Sequence, residues 1–596
     1  MLMIASSPLK NNYILMKKIF IILAMALACT SCKKSTDFLD NQAGTGETEE
    51  SIFTDSVKTI GFLSNIYSGI GYSFNKGRFS THGNTEMATD DAEYAYSGTS
   101  QNTVIMYNGT VSPNNFWTQG GVPDFWSTPY SNIRKVNVLL AKLPTAPLSE
   151  ALKKRMAAEA RYLRAWYYHF LLINFGGVPL IGDNVYNITD VINLPRATFE
   201  SSVNYVVDEL DAVADILPVP SGYAEQDYGR VTKGACLALK SRVLLYAASP
   251  LFNGGSIASG ELASLVSYPS YNVAYWQKAA EAAEAVINTN YYNLVEDNTT
   301  APGYGFYSMF LKRYPNTEHI FTLQRTTNRD FEGYYNPPSR GGAKNSQPTE
   351  QLARAFPMKN GKSTYDPTSG YLPGNPYVNR DPRFNYSIIY NGSLYYSTTT
   401  GTKIAVNTYD GAASDGYVSS TKSGPTTTGY YSRKMCDENI SSNSSFVTER
   451  AWPLIRYAEI LLNYAEAINE TGQTALAYPK LVAIRKRAGI DAGTDGLYGM
   501  KANMTKEEMR DFIQNERRIE LMNEDHRWND IRRWKIAEAV NNGYNKAMMI
   551  TKTGNNFTYQ IVNTIRLHVF KPQNYLMPIP QAEISKMPAM VQNPGY

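Results

Sequence analysis

The chain has 596 residues, which is long enough to bury a large core and to form two to four domains of ordinary size. Its formal net charge is only +4, and its Lys and Arg residues are spread along the sequence without a long basic run. No nucleic-acid-binding motif is present, so we expect no nucleic-acid partner.

The N-terminal region has the pattern of an export signal. Lys17 and Lys18 follow Met16 and precede an apolar run over residues 19–28. This run is shorter than the roughly 17–25 apolar residues that span a bilayer, and small residues follow it, as in a signal that is removed. Residues 1–15 lack the pattern, so Met16 is an alternative start.

Two cysteines, Cys29 and Cys32, follow this apolar run. Ala-Leu-Ala-Cys29 and Cys-Thr-Ser-Cys32 both resemble a bacterial lipoprotein box, in which the cysteine becomes the acylated first residue. Ser31 favours Cys32, with Cys29 as the alternative, and a plain secretory signal with incidental cysteines remains open. A redox or zinc pair is disfavoured because Cys236 and Cys436 lie far apart. Two or more acyl chains would tether the protein stably to a membrane.

Several segments have the spacing of amphipathic helices. They are residues 152–174, residues 232–249, "WQKAAEAAEAVINTNYY" and "WPLIRYAEILLNYAEAINETG". In the last, one apolar stripe is predicted to run through Leu454, Ile455, Ala458, Leu461, Leu462, Ala465 and Ile468, with Glu459, Asn463, Glu466 and Glu470 toward the other side. A second helix over about 475–488 follows a short turn, so the pair is predicted to pack as a tetratricopeptide-like hairpin without a strict 34-residue period.

Two regions are rich in Gly, Pro, Asn, Ser, Thr and Tyr, namely residues 70–130 and 320–448. They predict irregular loops and short strands carried on the helical frame, where binding residues are usually found. The chain contains 44 tyrosines, and a tyrosine combines an apolar face with a hydrogen-bonding tip, which suits sugars. The alternative is that most of these rings belong to the core.

The sequence shows no convincing catalytic or metal-binding motif, and we expect no enzyme, cofactor or metal. His526 and Asp530 are four residues apart and are expected to share a helix face in an ion-paired structural role. Asp90 and Asp91 would serve a glycosidase only if their carboxyls faced each other at about 5–9.5 Å, which adjacent residues rarely achieve. The charges of "ERRIELMNEDHRWNDIRRWK" predict a salt-bridged helix and turn in which each exposed pair contributes little, rather than a docking surface.

Motifs along nearly the whole chain resemble one family. They include "SCKKSTDFLD", "EARYLRAWYYHFLLINFGGVPLI", "GRVTKGACLALKSRVLLYAASPLF", "QPTEQLARAFPMKNGK", "NRDPRF", "RYAEILLNYAEAINE", "AIRKRAGI" and the tail "YLMPIPQAEISKMPAMVQNPGY". Their joint order resembles the SusD/RagB family of Bacteroidetes outer-membrane lipoproteins. The resemblance implies a mostly α-helical, tetratricopeptide-like fold with long loops and a few short strands. It also implies a cell-surface protein, not an enzyme, that captures a glycan or other nutrient for a SusC-like TonB-dependent transporter.

The resemblance also suggests an organisation of the chain. We expect a lipoprotein signal peptide over residues 1–32, an N-terminal region over 33–225, and a C-terminal region over 226–596 with a loop-rich insert at about 320–448. Cys29 stands where an aliphatic residue is more usual in the lipoprotein box, and "KKSTD" lacks an acidic pair. Surface display is therefore expected from the resemblance alone.

Starch-binding members of the family stack sugars on aromatic residues from two loop regions, and both have counterparts here. "NTEMATDDAEYAYSG" matches the first region, and "GYGFYSMF" and "FEGYYNPP" lie in the second. The candidate ligand-binding residues are Asp90, Asp91, Tyr94, Tyr96, Tyr304, Phe306, Tyr307, Tyr334 and Tyr335. Two alternatives remain open, a helical scaffold that only recruits partners and a glycoside hydrolase.

Overall fold

The computed structural model describes residues 48–71, 83–94, 102–116, 124–187, 189–418 and 425–596. Cys29, Cys32 and Tyr96 lie outside these ranges. Within them, no helix has both the length and the apolar character needed to cross a bilayer. The chain divides into two compact units, of which the smaller one includes residues 48–59 and 145–147. In that unit, the Thr48 hydroxyl caps the first helix by accepting a hydrogen bond from the Ser51 amide at 3.2 Å.

The helices carry most of the fold. They are α1 (Glu49–Phe53), α2 (Ser56–Tyr67), α3 (Asn102–Tyr107), α4 (Ser127–Lys142), α5 (Glu150–Phe175), α6 (Phe199–Ala214), α7 (Lys233–Ala248), α8 (Glu261–Val266), α9 (Ala274–Asn288), α10 (Tyr304–Leu311), α11 (Asp330–Tyr335), α12 (Glu350–Ala355), α13 (Pro382–Ser387), α14 (Tyr457–Glu470), α15 (Tyr478–Arg487), α16 (Lys506–Glu520), α17 (Arg527–Arg533), α18 (Ala537–Val540) and α19 (Gln581–Lys586).

The strands form two-stranded antiparallel sheets. They are β1 (Ala92–Glu93), β2 (His319–Asn328), β3 (Gln347–Pro348), β4 (Ile388–Ile389), β5 (Leu394–Ser397), β6 (Thr402–Ala405), β7 (Tyr431–Ser432), β8 (Thr448–Arg456), β9 (Gly543–Thr553) and β10 (Asn556–His568). Strand β2 pairs with β8, β9 with β10, β5 with β6, β1 with β3, and β4 with β7. The predicted mostly helical fold with a few short strands is confirmed.

The larger unit contains a frame in which successive helices pack on one another. Helix α4 packs on α5, α5 on α6, α6 on α7, α7 on α9, α9 on α14, and α14 on both α15 and α16. Side-chain hydroxyls fix several of the helix starts, because Ser149, Thr232 and Thr505 cap α5, α7 and α16. Helix α5 ends at Gly176, whose φ of 77° suits a residue without a Cβ.

Helix α14 differs from its prediction in two ways. Leu454 and Ile455 belong to strand β8 rather than to the helix, because the backbone there pairs with β2. The polar side is also buried, and every side chain from Ala458 to Glu470 is shielded from solvent. The carboxylates on that side are satisfied by arginines from other elements. The pairs are Glu459 with Arg242, Glu466 with Arg533, and Glu470 with Arg510.

The charge-rich segment is a salt-bridged helix and turn, as predicted, but most of its charges are buried rather than exposed. It contributes to a group of paired charges that we call the central ion cluster. The carboxylates of this cluster are Glu318, Asp381, Glu516, Glu520 and Glu524, and its cations are Arg383, Lys434, Arg456, Arg485 and Arg487. All ten residues are buried, so the cluster lies in the protein interior.

His526 corrects the expectation of an ion pair. It precedes α17, is buried, and lies within 3.3 Å of Arg517 through its Nδ1. Burial lowers its pKa well below the ordinary value, and the charges of Arg517 and Arg242 lower it further. The ring is therefore neutral at physiological pH and acts through hydrogen bonding. Asp530 does form ion pairs, with Arg517 and Arg533.

Candidate functional site

The acidic pair of the first predicted region lies against the C-terminal helices. Asp90 accepts two hydrogen bonds from Arg527, at 2.9 and 2.8 Å, and one from Arg518 at 2.8 Å. Asp91 accepts one from Arg518 at 2.5 Å. Both carboxylates are buried, and the two arginines come from α16 and α17. These contacts fasten residues 83–94 to the helical frame.

The two carboxyls respond differently to the same arginines. Burial raises the pKa of Asp90, but the charges of Arg518 and Arg527 outweigh burial and hold its pKa at about 2. For Asp91, burial dominates over the same two charges, and its pKa is raised above the ordinary value. Asp90 is therefore the fixed negative charge of the pair.

The predicted aromatic residues lie at different depths. Tyr94 is 2% exposed, and Phe306 and Tyr335 belong to a buried core cluster. Tyr307 is also buried and stacks on Tyr386, with ring centroids 5.0 Å apart.

Tyr304 and Tyr334 are half-buried. Six of the nine candidate residues are therefore buried, namely Asp90, Asp91, Tyr94, Phe306, Tyr307 and Tyr335. Tyr96 lies outside the described residues. The role of all nine residues in ligand binding stays a prediction.

An open cavity of about 300 Å³ lies beside Asp90. We call it the first cavity, and its lining residues are Asp90, Gln351, Ala355, Tyr365, Asn515, Arg518 and Val540. The residues come from the acidic segment, from α12, from the loop that follows α12, from α16 and from α18. Of the candidate residues predicted from the sequence, Asp90 lines this cavity, and the other lining residues are not among those candidates.

Tyr365 gives the first cavity a fixed aromatic surface. Its side chain is 70% exposed, yet the Arg354 guanidinium lies over the ring at 4.2 Å from the centroid. Arg354 also lies 4.4 Å from the Tyr371 ring and donates to the Thr364 hydroxyl at 3.1 Å. Because cation–π contacts and this hydrogen bond hold Arg354, it supports the Tyr365 ring from one side. Most of the ring remains open to solvent.

The polar groups around this ring are also fixed. Gln351 accepts a hydrogen bond from the Lys546 amide at 2.6 Å and donates to Asn545 at 3.2 Å. Asn515 donates to the Ala355 carbonyl at 3.0 Å. With the Asp90–Arg518 pair, these side chains place amide, carboxylate and guanidinium groups near an exposed ring. A sugar offers a C–H face for such a ring and hydroxyls for such polar groups, so the arrangement suits a carbohydrate.

A second cavity of about 350 Å³ adjoins the first. The two share Ala355 and Asn515, and the second continues along α16 past Glu508, Asp511 and Phe512. One general feature of the sequence points to these cavities, because Tyr365 lies in the Gly- and Pro-rich region 320–448, where binding loops are predicted. Asn515 lies on a helix and Gln351 lies in one of the motifs that carry the family resemblance, so the sequence marks neither as a binding residue.

Comparison with known proteins agrees with this architecture. A model described as the SusD family matches residues 284–596. The chain belongs to the SusD family. A second model, described as starch-binding and associating with outer membrane, matches residues 37–245 and supports an association of this SusD-family protein with the outer membrane.

Individual relatives are similar over most of their length. The chain is 23% identical to SusD-like protein P2 of Formosa agariphila over 85% of this chain and 86% of the relative. A solved SusD-like protein from Bacteroides fragilis superposes with a TM-score of 0.74 at 24% identity, over 92% of this chain and 99% of its own. Surface glycan-binding protein A from Bacteroides fluxus gives 0.59 at 18% identity, over 91% and 100%. These solved structures establish the fold, which is the tetratricopeptide-like helical fold of SusD-like proteins.

Proposed function

We propose that this SusD-family protein is a lipid-anchored, cell-surface protein that captures an oligosaccharide and delivers it to a SusC-like TonB-dependent transporter. The observation that carries the proposal is the exposed Tyr365 ring beside fixed polar groups in the first cavity. Lipidation at Cys32, or alternatively at Cys29, would supply the anchor, and the short apolar run before these cysteines supports it.

The names of related proteins support a carbohydrate ligand. The Bacteroides fluxus structure is named as a surface glycan-binding protein, and the model matching residues 37–245 is described as starch-binding. Transfer of this property to the present chain rests on the first cavity, because its lining combines a ring face with side chains that bind hydroxyls.

Binding without hydrolysis is the activity that we propose. Asp90 and Asp91 both bind Arg518, and Asp90 also binds Arg527. This shared pairing gives the carboxylates a role in holding residues 83–94 against α16 and α17. A retaining or inverting glycosidase would need one carboxyl free to donate a proton to a glycosidic oxygen.

The test is titration of the purified protein against a panel of soluble polysaccharides that includes α-1,4-glucan, β-1,3-glucan, xylan and mannan. Tyr365→Ala should lower the affinity about fivefold for the polysaccharide that binds, because an aromatic contact contributes about 1 kcal/mol to binding. Phe446→Ala is the matched control, since Phe446 is 67% exposed and lines neither the first nor the second cavity. Analysis of the mixtures for shortened products tests for cleavage.

Each contrary result selects a different alternative. Equal affinity of the parent and Tyr365→Ala would indicate that the ligand binds at the predicted loops instead. The next variants to titrate would then be Tyr94→Ala/Tyr96→Ala, followed by Tyr304→Ala and Tyr334→Ala. Absence of binding to every polysaccharide would favour a scaffold that recruits partners. Shortened products would favour a hydrolase.

A further inference from the structure

A third cavity, of about 560 Å³, also borders α16. Its lining includes Tyr271, Arg510, Asp511, Gln514 and Lys535. Tyr271 is 56% exposed, so this cavity also has an aromatic ring at its surface. Tyr271 lines neither the first nor the second cavity.

The backbone beneath Tyr271 is built to hold it. A Cβ at Gly254 would lie 2.8 Å from the Tyr271 Cβ, and the φ of Gly254 is +89°, so the close approach depends on glycine. The Asn253 side chain accepts from the Asn272 amide at 2.8 Å and donates to the Asn272 carbonyl at 3.0 Å. These contacts fasten the loop that carries Tyr271 to the turn after α7.

The charged groups of the third cavity are largely paired. Glu470 accepts from Arg510 at 2.5 and 2.7 Å, and the Lys506 amine donates to the Glu470 carbonyl at 2.7 Å. Glu466 is paired with Arg533 in the same way. The charged residues of the lining are three carboxylates (Glu466, Glu470 and Asp511) and three cations (Lys506, Arg510 and Lys535). The cavity therefore carries no net charge and favours a ligand without one.

The three cavities form a series along and across α16. Asn515 lines the first and second cavities, and Asp511 lines the second and third. From Arg518 at one end to Lys506 at the other is twelve residues of helix, or about 18 Å at 1.5 Å per residue. Tyr365 lines the first cavity and Tyr271 lines the third, so the first and last cavities of the series each have an exposed tyrosine.

We infer that the ligand is a neutral glycan chain long enough to cross α16 and to stack on Tyr365 and Tyr271 at its two ends. This inference rests on the proposed function and specifies its ligand class. A short fragment would occupy only the Tyr365 end, where the Gln351 and Asn515 side chains offer hydrogen-bonding groups. A longer chain would continue past Asp511 into the third cavity and would also stack on the Tyr271 ring.

The test measures affinity against chain length. Fragments of the neutral polysaccharide that binds best, beginning with α-1,4- and β-1,3-glucans, are graded from disaccharide to polymer and titrated by calorimetry. Tyr271→Ala should weaken the long fragments about fivefold and leave the shortest bound fragment unchanged, because only long chains reach Tyr271. Tyr365→Ala should weaken short and long fragments alike. Tyr271→Phe keeps the aromatic ring and should bind with the affinity of the parent. Phe446→Ala should change the affinity for neither short nor long fragments.

The outcomes separate this inference from the proposed function. If Tyr271→Ala binds every fragment as the parent does while Tyr365→Ala is weakened, the chain ends before the third cavity and the inference is overturned, but the proposed function stands. If Tyr271→Ala weakens the shortest fragment as well, the order of the two rings is wrong and the inference is also overturned. If the parent binds no polysaccharide, both fail. Circular dichroism confirms that each variant is folded.

Discussion

Glu520, at the end of α16, is the carboxylate on which the central ion cluster depends most. It is fully buried and pairs with Arg456 at 2.7 Å, with Arg383 at 2.8 Å, and with Arg487. Burial by itself raises its pKa, but the charges of Arg487, Arg456 and Arg383 hold the pKa well below its ordinary range. Glu520 is therefore charged at physiological pH.

Glu520→Gln removes this charge with almost no change in shape. The cluster holds five carboxylates and five cations, so the substitution leaves one buried cation without its counter-charge. Breaking a buried ion pair from one side costs about 3–5 kcal/mol, and we expect a loss of that size in the free energy of unfolding. The matched control is Glu296→Gln, which breaks the exposed Lys486–Glu296 pair at 3.1 Å and should cost less than about 1 kcal/mol.

Urea unfolding followed by circular dichroism measures both variants against the parent. We expect a clearly lower midpoint for Glu520→Gln at an unchanged slope, and a midpoint for Glu296→Gln close to that of the parent. If the two variants unfold at the same midpoint, the cluster is not a buried, charge-matched element, and the reasoning from burial is refuted.

Three further predictions concern separate parts of the chain. Leu461→Asp places a charge on the buried α14 and should cost more than the about 2–5 kcal/mol of a core Leu→Ala change, and a mutant with the parent's melting temperature would contradict the packing of α14. Burial raises the pKa of Glu350 to about 7 despite a hydrogen bond from Tyr430. The folded state therefore favours the protonated carboxyl. The resulting contribution to the free energy of unfolding is fully present below about pH 4.5 and is lost as the pH rises through 7. Glu350→Gln should therefore gain roughly 2–3 kcal/mol relative to the parent between pH 5 and pH 8 in thermal unfolding, and parallel pH curves would contradict this assignment. Cys32→Ala should release the protein from membranes on fractionation, whereas release by Cys29→Ala alone would identify Cys29 as the acylated residue.

The helices were predictable because their signals are local. The apolar spacing of residues 152–174 and 232–249 places them within α5 and α7 to within about two residues. The capping residues Ser149 and Thr232 stand immediately before the first helical residue in each case. Spacing and capping are properties of neighbouring residues, so the sequence alone displays them.

The errors come from partners that are distant in the sequence. Leu454 and Ile455 continue the apolar pattern of α14, but β2 lies more than a hundred residues upstream and draws them into a strand. The burial of Glu459 has the same cause, because its partner Arg242 lies on α7, 217 residues away. Periodicity identifies a polar side of a helix, but it does not say whether that side faces water or a buried arginine.

The first cavity was only partly predictable for the same reason. The segment containing Asp90 was singled out, but the exposed ring beside it belongs to Tyr365, one of 44 tyrosines. What distinguishes Tyr365 is that its ring is exposed and lines the first cavity, with the Arg354 guanidinium over one face. Whether a tyrosine is buried in the core or exposed beside a cavity is therefore decided by tertiary contacts.

Helix α16 links the stability of the protein to the proposed binding surface. Glu516 and Glu520 point into the central ion cluster, while Asp511, Asn515 and Arg518 line the cavities on the same helix. Any rotation of α16 about its axis would withdraw buried carboxylates from their arginines, at a cost of several kcal/mol. The cluster therefore fixes the angle at which the helix presents its outer side chains. A glycan that binds there meets groups that are already in place, so little of the binding free energy is lost in ordering them.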